Sequence, residues 1–249
     1  MTPTTRSRQQ TAGQSEVGAP NSVTHYTLAD AQHYAAHHQK NWRTRLTTWR
    51  ERSMLQRALA SLGPLESILD IPCGAGRFWS VLVATGARRL FAADNSDGML
   101  TVAHRNEPTL SNHITLLNSS IFDIDLPPEI VDCCVVPRFF HHLAHSADRC
   151  QALRELHRVS RRFVLLSLWV DGNLQARRRR RKDAAVQPTS GFGARRCIAR
   201  TVIEAEFLAT GFTVRQRCDV APGLSMWRLY VLEKAGSAAL STAPDGQYR

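Results

Sequence analysis

Two acidic residues stand at matched places in this chain. The segment ILDIPCGAGR at residues 68–77 closes an apolar run on Asp70, and FAADNSDGML at 91–100 closes a second one on Asp94, 24 residues later. Between them lie Gly74 and Gly76 in a tight turn, then a helix-like stretch from near Arg77. The order is strand, glycine turn, helix, and a second strand ending in a carboxylate. A glycine turn lets backbone N–H groups approach a ligand, and the helix N-terminus behind it favours an anionic group. A carboxylate at the second strand end can accept hydrogen bonds from both hydroxyls of a ribose. The chemistry indicated is the binding of a nucleoside-shaped ligand.

The turn separates two kinds of ligand. A dinucleotide fingerprint needs a third glycine for close helix–strand packing, and here Trp79 occupies that position. The D-x-P-C-G-x-G form with Asp70 at its head, joined to D-N-S-x-x-M-L at 94–100, instead resembles the motifs of class I S-adenosylmethionine-dependent methyltransferases, over about residues 67–234. Pro72 stands where that family most often has glycine. It has no N–H to donate to the cofactor.

The resemblance implies a set of site residues. Asp70, Pro72, Cys73, Gly74 and Gly76 form the cofactor turn, and Asp94 binds the ribose, with Asn95 and Met99 beside it. An N-cap of the next helix is the competing role for Asp94, and Asn95 or Ser96 can fill that role equally well. Met99 either touches the adenine or belongs to the core. The third strand runs into NSSIFDIDLP, where Ser120, Ile121 and Phe122 flank the adenine in the family and Asp123 can pair with its amine. The fourth strand ends in PRFFHHL, which faces the transferred methyl in the family. Pro137 and Arg138 line the cofactor there, Phe139 lines the substrate, and His141 or His142 is the candidate catalytic base. Imidazole titrates near neutrality and can take a proton from an attacking hydroxyl or amine. His141 and His145 stand at i and i+4, but no further ligand cluster supports a metal.

The elements that must position these residues alternate. Strands are expected near 67–71, 89–94, 113–117, 131–136, 163–170, 212–220 and 226–233, and helices near 77–85, 97–106, 147–160 and 199–210. Such alternation implies a mostly parallel, Rossmann-like α/β sheet with helices on both faces. The last two of these seven strands, separated only by APGLS, are expected to run antiparallel to each other, and that hairpin end also resembles the methyltransferase fold. Ahead of the sheet, Trp42, Leu46, Trp49, Leu55 and Leu59 recur at roughly helical spacing. They predict a helical cap over residues 25–66. Residues 1–24 and 235–249 are polar and small, and are expected to be flexible tails.

The chain has 249 residues, 43% hydrophobic, and a formal net charge of +11. More than half of that excess comes from one run, Arg177, Arg178, Arg179, Arg180, Arg181 and Lys182, within a basic insertion at 171–196. The run follows the fifth strand, near the expected mouth of the site. It is either a clamp for phosphate or carboxylate groups or a solvated helix end. An anionic small molecule or glycolipid is therefore the first choice of substrate. RNA held by its phosphates is the second, and a non-catalytic S-adenosylmethionine-binding protein is the third. No N/D-P-P-Y/F motif or proline–cysteine loop of nucleic-acid methyltransferases occurs at the fourth strand end. Six cysteines without a C-x-x-C pair suggest buried thiols in a reducing cytoplasm. There is no apolar run approaching 18 residues, and the N-terminus has no apolar signal core.

Overall fold

The computed structural model describes residues 42–183 and 196–236. The expected tail at 1–24, the start of the cap at 25–41, part of the basic insertion and nearly all of the C-terminal tail lie outside them. Helix α1 (Trp42–Ala60) comes first. Then follow β1 (Ser67–Asp70), α2 (Trp79–Val83), β2 (Arg89–Asp94), α3 (Asp97–Asn106), α4 (Pro108–Ser111) and β3 (Ile114–Asn118). Next come β4 (Val131–Val136), a 3₁₀ turn (Phe140–His142), α5 (Ser146–Val159) and β5 (Ser160–Trp169). The described residues end with α6 (Leu174–Asp183), α7 (Arg200–Ala209), β6 (Phe212–Asp219) and β7 (Trp227–Lys234).

The seven strands form one sheet in the order β3-β2-β1-β4-β5-β7-β6. The first five strands pair in parallel, while β7 runs antiparallel to both β5 and β6. Ser67, Ile68, Leu69 and Asp70 of β1 are all buried, because helices cover both faces of the central strands. Alternation along the strands splits the core into two layers. Cys134, Val136, Val164 and Leu166 pack with Leu153, Leu156, Ile203 and Phe207 of α5 and α7. On the other face Cys133, Val135, Phe163 and Leu165 pack under Leu55 and Leu59 of α1, with Trp79 and Leu82 of α2.

Three expectations need correcting. Leu46 and Trp49, expected to join the buried stripe of the cap helix, are 47% and 64% exposed. Burial starts only with Glu51, Met54 and Leu55, where the helix reaches the sheet face. The helix expected over 77–85 is shorter, Trp79–Val83, because residues 71–78 remain in turns. The basic run lies on a helix, α6, rather than in a loop. Its first turn is held by the Asn173 side chain, whose Oδ1 accepts the Ala176 N–H at 2.8 Å.

Candidate active site

β1 and β2 are neighbours in register, with Asp70 beside Ala92, so their carboxyl ends open at the same edge of the sheet. The turn after β1 is tied to β2 by the Cys73 N–H, which donates to the Ala93 carbonyl at 2.8 Å. Gly74 and Gly76 have φ of +53° and +74°, conformations that glycine adopts without Cβ strain. Trp79, at the position where a dinucleotide site would have glycine, is fully buried with its indole against Gly76. Met99 is buried against Ala75 of the same turn and Val102.

Asp94 sits under this turn. One of its oxygens accepts the Gly74 N–H at 2.9 Å and the other accepts the Ser96 N–H at 3.1 Å. The competing helix-cap role belongs to Ser96, whose Oγ accepts the Met99 N–H at 3.2 Å at the start of α3. Asp94 is thus left to the turn. Burial raises its pKa, opposed by the N–H groups of Gly74, Ser96 and Asn95.

Asp70 differs. It is fully buried, and neither carboxylate oxygen has a hydrogen-bond partner among the described residues. Burial pushes its pKa well up, the Asp94 charge adds to this, and the Trp79 indole opposes it weakly. Cys73 is buried, and burial with the two nearby carboxylates holds its thiol well above the usual range, so it is no nucleophile. Cys133 and Cys134 are raised by burial in the same way.

After β3, the Ser119 N–H donates to the Asp94 carbonyl, which brings the 118–123 loop beside Asp94. Ile121 and Phe122 place their side chains in the core, while Ser120 is half-buried and Asp123 exposed. After β4, Arg138 takes φ of +59°, unusual for a side-chain-bearing residue. Its N–H donates to Ser167 Oγ at 2.9 Å, and its guanidinium lies 4.5 Å from the centre of the Trp227 ring. Phe139 packs edge-on between Phe122 and Phe140.

The structure separates the two histidines. His141 is 1% exposed, stacked on Trp169 at 4.8 Å and met edge-on by Trp227 at 5.0 Å. His142 is half-buried. The loop after them is held by Arg149, which donates to the carbonyls of Leu143 and Ala144 and forms a buried pair with Glu206 of α7 at 2.6 Å. In the arginine run, Arg179 lies 4.7 Å over the Trp169 ring, while Arg177, Arg178 and Arg180 are exposed. The side chain of Arg181 lies outside the described residues.

Four contributors carry weaker sequence signals. Glu51, Ser167, Trp169 and Trp227 meet at the carboxyl ends of β4 and β5 and the start of β7. An apolar pocket there lies under α1, lined by Glu51, Leu55, Phe78, Pro137, Ser167 and Trp227. Trp169 was readable as a strand end; the other three make their contacts across distant parts of the chain.

Residues 69–166 match the model of a family described as Methyltransferase domain. That segment carries both the glycine turn and Asp94, so the part of the chain that resembles a methyltransferase domain is the part that builds the candidate site. Solved structures share the fold of this chain. A magnesium protoporphyrin IX methyltransferase from Synechocystis with bound S-adenosylhomocysteine superposes with a TM-score of 0.63 at 15% identity, over 79% of this chain and 89% of that one. An S-adenosylmethionine-dependent methyltransferase from Clostridium acetobutylicum gives 0.65 at 11% identity, over 82% and 99%. Among curated proteins, the ribosomal protein arginine N-methyltransferase rmt3 of Schizosaccharomyces pombe is 32% identical over 71 residues, 28% of this chain. The matched segment makes up only 13% of that relative's length.

S-adenosylmethionine is the cofactor that the match to a methyltransferase domain implies, and the residues present fit it. Asp70 is a buried carboxyl whose oxygens have no hydrogen-bond partner among the described residues, and the positive charge that the cofactor carries on its sulfonium and its ammonium would favour its ionised form. A Cβ built on Gly74 meets no atom within 4 Å, so the turn is open beside Asp94. Asp94 retains acceptor capacity beyond its two N–H partners, since a carboxylate offers about four lone-pair sites.

One pH prediction follows from Asp70. Its folded-state pKa is raised above the unfolded value of about 3.9. Between those two values the folded chain holds a proton that the unfolded chain has released, so stability falls as pH rises from about 4 through the raised pKa. Asp70→Asn removes this loss. Melting curves without ligand should show the variant gaining on the wild type from pH 4 to 7. A difference that stays flat across this range contradicts the buried, unpartnered carboxylate. The same variant should bind S-adenosylhomocysteine, which keeps the ammonium, more weakly.

Proposed function

We propose that this chain is an S-adenosylmethionine-dependent methyltransferase that acts on an oxygen or nitrogen of an anionic small molecule, with glycolipids among the acceptor types. The observation that carries this reading is the basic helix α6 at the acceptor end of the sheet. Arg179 lies over Trp169, on which His141 stacks, and Arg177, Arg178 and Arg180 of the same helix are exposed, whereas the charge of Arg138 is already paired with Glu51. Arginine forks suit carboxylate and phosphate groups. The relatives named above act on a porphyrin and on arginine of a ribosomal protein. The acceptor class is therefore argued from this chain's own residues. None of the six cysteines is in a disulfide, which suits a reducing cytoplasm.

When bound, S-adenosylmethionine supplies a methyl group already activated on a sulfonium. The chain's part is orientation, which can supply about 7–11 kcal/mol of barrier lowering. Gly74 and Asp94 fix the nucleoside end, Asp70 holds the positive end, and Pro137 and Arg138 set the floor below the acceptor. His142, the half-buried member of the pair, takes the acceptor proton, a role with an expected contribution of about 10²–10⁴-fold. His141 packs between the tryptophans and aligns the strand ends.

The test is on the arginines. A cation near a polyanionic partner contributes on the order of 1 kcal/mol, about fivefold. Arg179→Gln should lower transfer of labelled methyl into acidic metabolites by about that factor, with S-adenosylhomocysteine affinity unchanged. Replacing the exposed Arg177, Arg178 and Arg180 together should have a smaller effect. Steeply salt-dependent RNA binding, lost in that triple variant, would replace this reading with the RNA methyltransferase. No change in either set of variants would remove the basic helix from the site.

A further inference from the structure

Arg77 is the residue that follows the second glycine of the cofactor turn, and α1 holds it at both ends. Its carbonyl accepts two hydrogen bonds from the Arg52 guanidinium, at 3.0 and 2.6 Å. Its own guanidinium donates to Thr48 Oγ1 at 2.7 Å and pairs with Glu51 Oε2 at 2.6 Å. Glu51 also accepts from Arg138 after β4, at 3.0 and 3.2 Å. The Glu51 side chain is 7% exposed and each of the two arginine side chains 18%. One buried carboxylate on the N-terminal helix therefore joins the cofactor turn to the acceptor-side loop.

We propose that Glu51 is a positioning residue for cofactor binding, acting through Arg77. The inference rests on the reading that the cofactor binds at the 73–76 turn. A turn with two left-handed glycines has many conformations open to it, and binding is tighter when the bound shape is held in advance. The grip on Arg77 supplies that restraint from outside the turn. Charge-assisted bonds between enclosed groups have little water to compete with them, and removing one partner leaves the other charge uncompensated. Glu51 touches neither reacting atoms nor the ribose acid Asp94, and its effect is on geometry. The N-terminal helix thereby becomes part of the cofactor site.

The experiment is calorimetric titration of the full chain with S-adenosylhomocysteine, with melting temperatures recorded alongside. Glu51→Gln keeps the size of the side chain and removes its charge. Its dissociation constant should rise about 5–20-fold. Arg77→Gln should do the same, and the double variant should be no worse than the weaker single one, because both act through one contact. Arg52→Gln should also weaken binding by releasing the Arg77 carbonyl. Arg50→Gln, an exposed change on the same helix, should bind as wild type does. Wild-type affinity in Glu51→Gln, or additive losses in the double variant, would overturn the proposal while leaving the cofactor assignment in place. If the wild type itself does not bind, both fall.

Discussion

Asp94→Ala is expected to weaken S-adenosylhomocysteine binding by about 10–150-fold, the equivalent of losing a charged hydrogen bond at about 1.5–3 kcal/mol. Two losses combine. The ribose hydroxyls lose their acceptor, and the Gly74 N–H loses the carboxylate oxygen that holds it at 2.9 Å. Asp94→Asn separates them. An amide keeps one oxygen for a backbone N–H but has no charge, so its affinity should fall between those of wild type and Asp94→Ala. The helix that follows should survive both changes, because its cap is Ser96. Calorimetry on variants with wild-type circular dichroism is the check. Wild-type affinity in a folded Asp94→Ala would remove this residue from the cofactor site.

The two glycines should respond differently to substitution. Gly74→Ala places a methyl group where no atom lies within 4 Å, at φ of +53°. The ligand-free fold then loses only the cost of a left-handed residue, about 1–2 kcal/mol. Cofactor affinity should fall by tenfold or more, because the methyl group occupies the open side of the turn beside Asp94. Gly76→Val is expected from sequence to block the cofactor directly, but the structure gives another reason for damage. A Cβ there comes within 3.1–3.3 Å of the Trp79 indole, which is fully buried and has no room to retreat. That variant should lose stability first. A melting temperature near wild type for Gly76→Val, or normal cofactor affinity for Gly74→Ala, would contradict this division.

The strands were legible because β1, β2, β4 and β5 are short apolar runs between turn signals, and the run ends placed Asp70 and Asp94 within a residue. Helix α3 was found over its whole length, since Ser96 and the apolar spacing of Met99, Leu100, Val102 and Ala103 mark it twice. The basic helix was less legible. A run of five arginines carries no apolar period, and Ala176 is its one buried side chain among those described. The cap helix misled in the opposite sense, as Leu46 and Trp49 keep the helical spacing but are exposed among the described residues. Glu51 was invisible for another reason. Its partners Arg77 and Arg138 stand 26 and 87 residues away, so no local pattern marks it. The histidine pair shows the same limit, since only the positions of Trp169 and Trp227 decide which ring is enclosed.

Transfer of label from methyl-labelled S-adenosylmethionine to a fractionated metabolite extract tests the central claim most directly. The full chain should place label in acidic small molecules or glycolipids, and Asp94→Ala should lose nearly all of it at cofactor concentrations that saturate the wild type. Label appearing in RNA instead would contradict the acceptor assignment. A wild-type chain that binds S-adenosylhomocysteine yet transfers no label to any fraction would contradict catalysis itself.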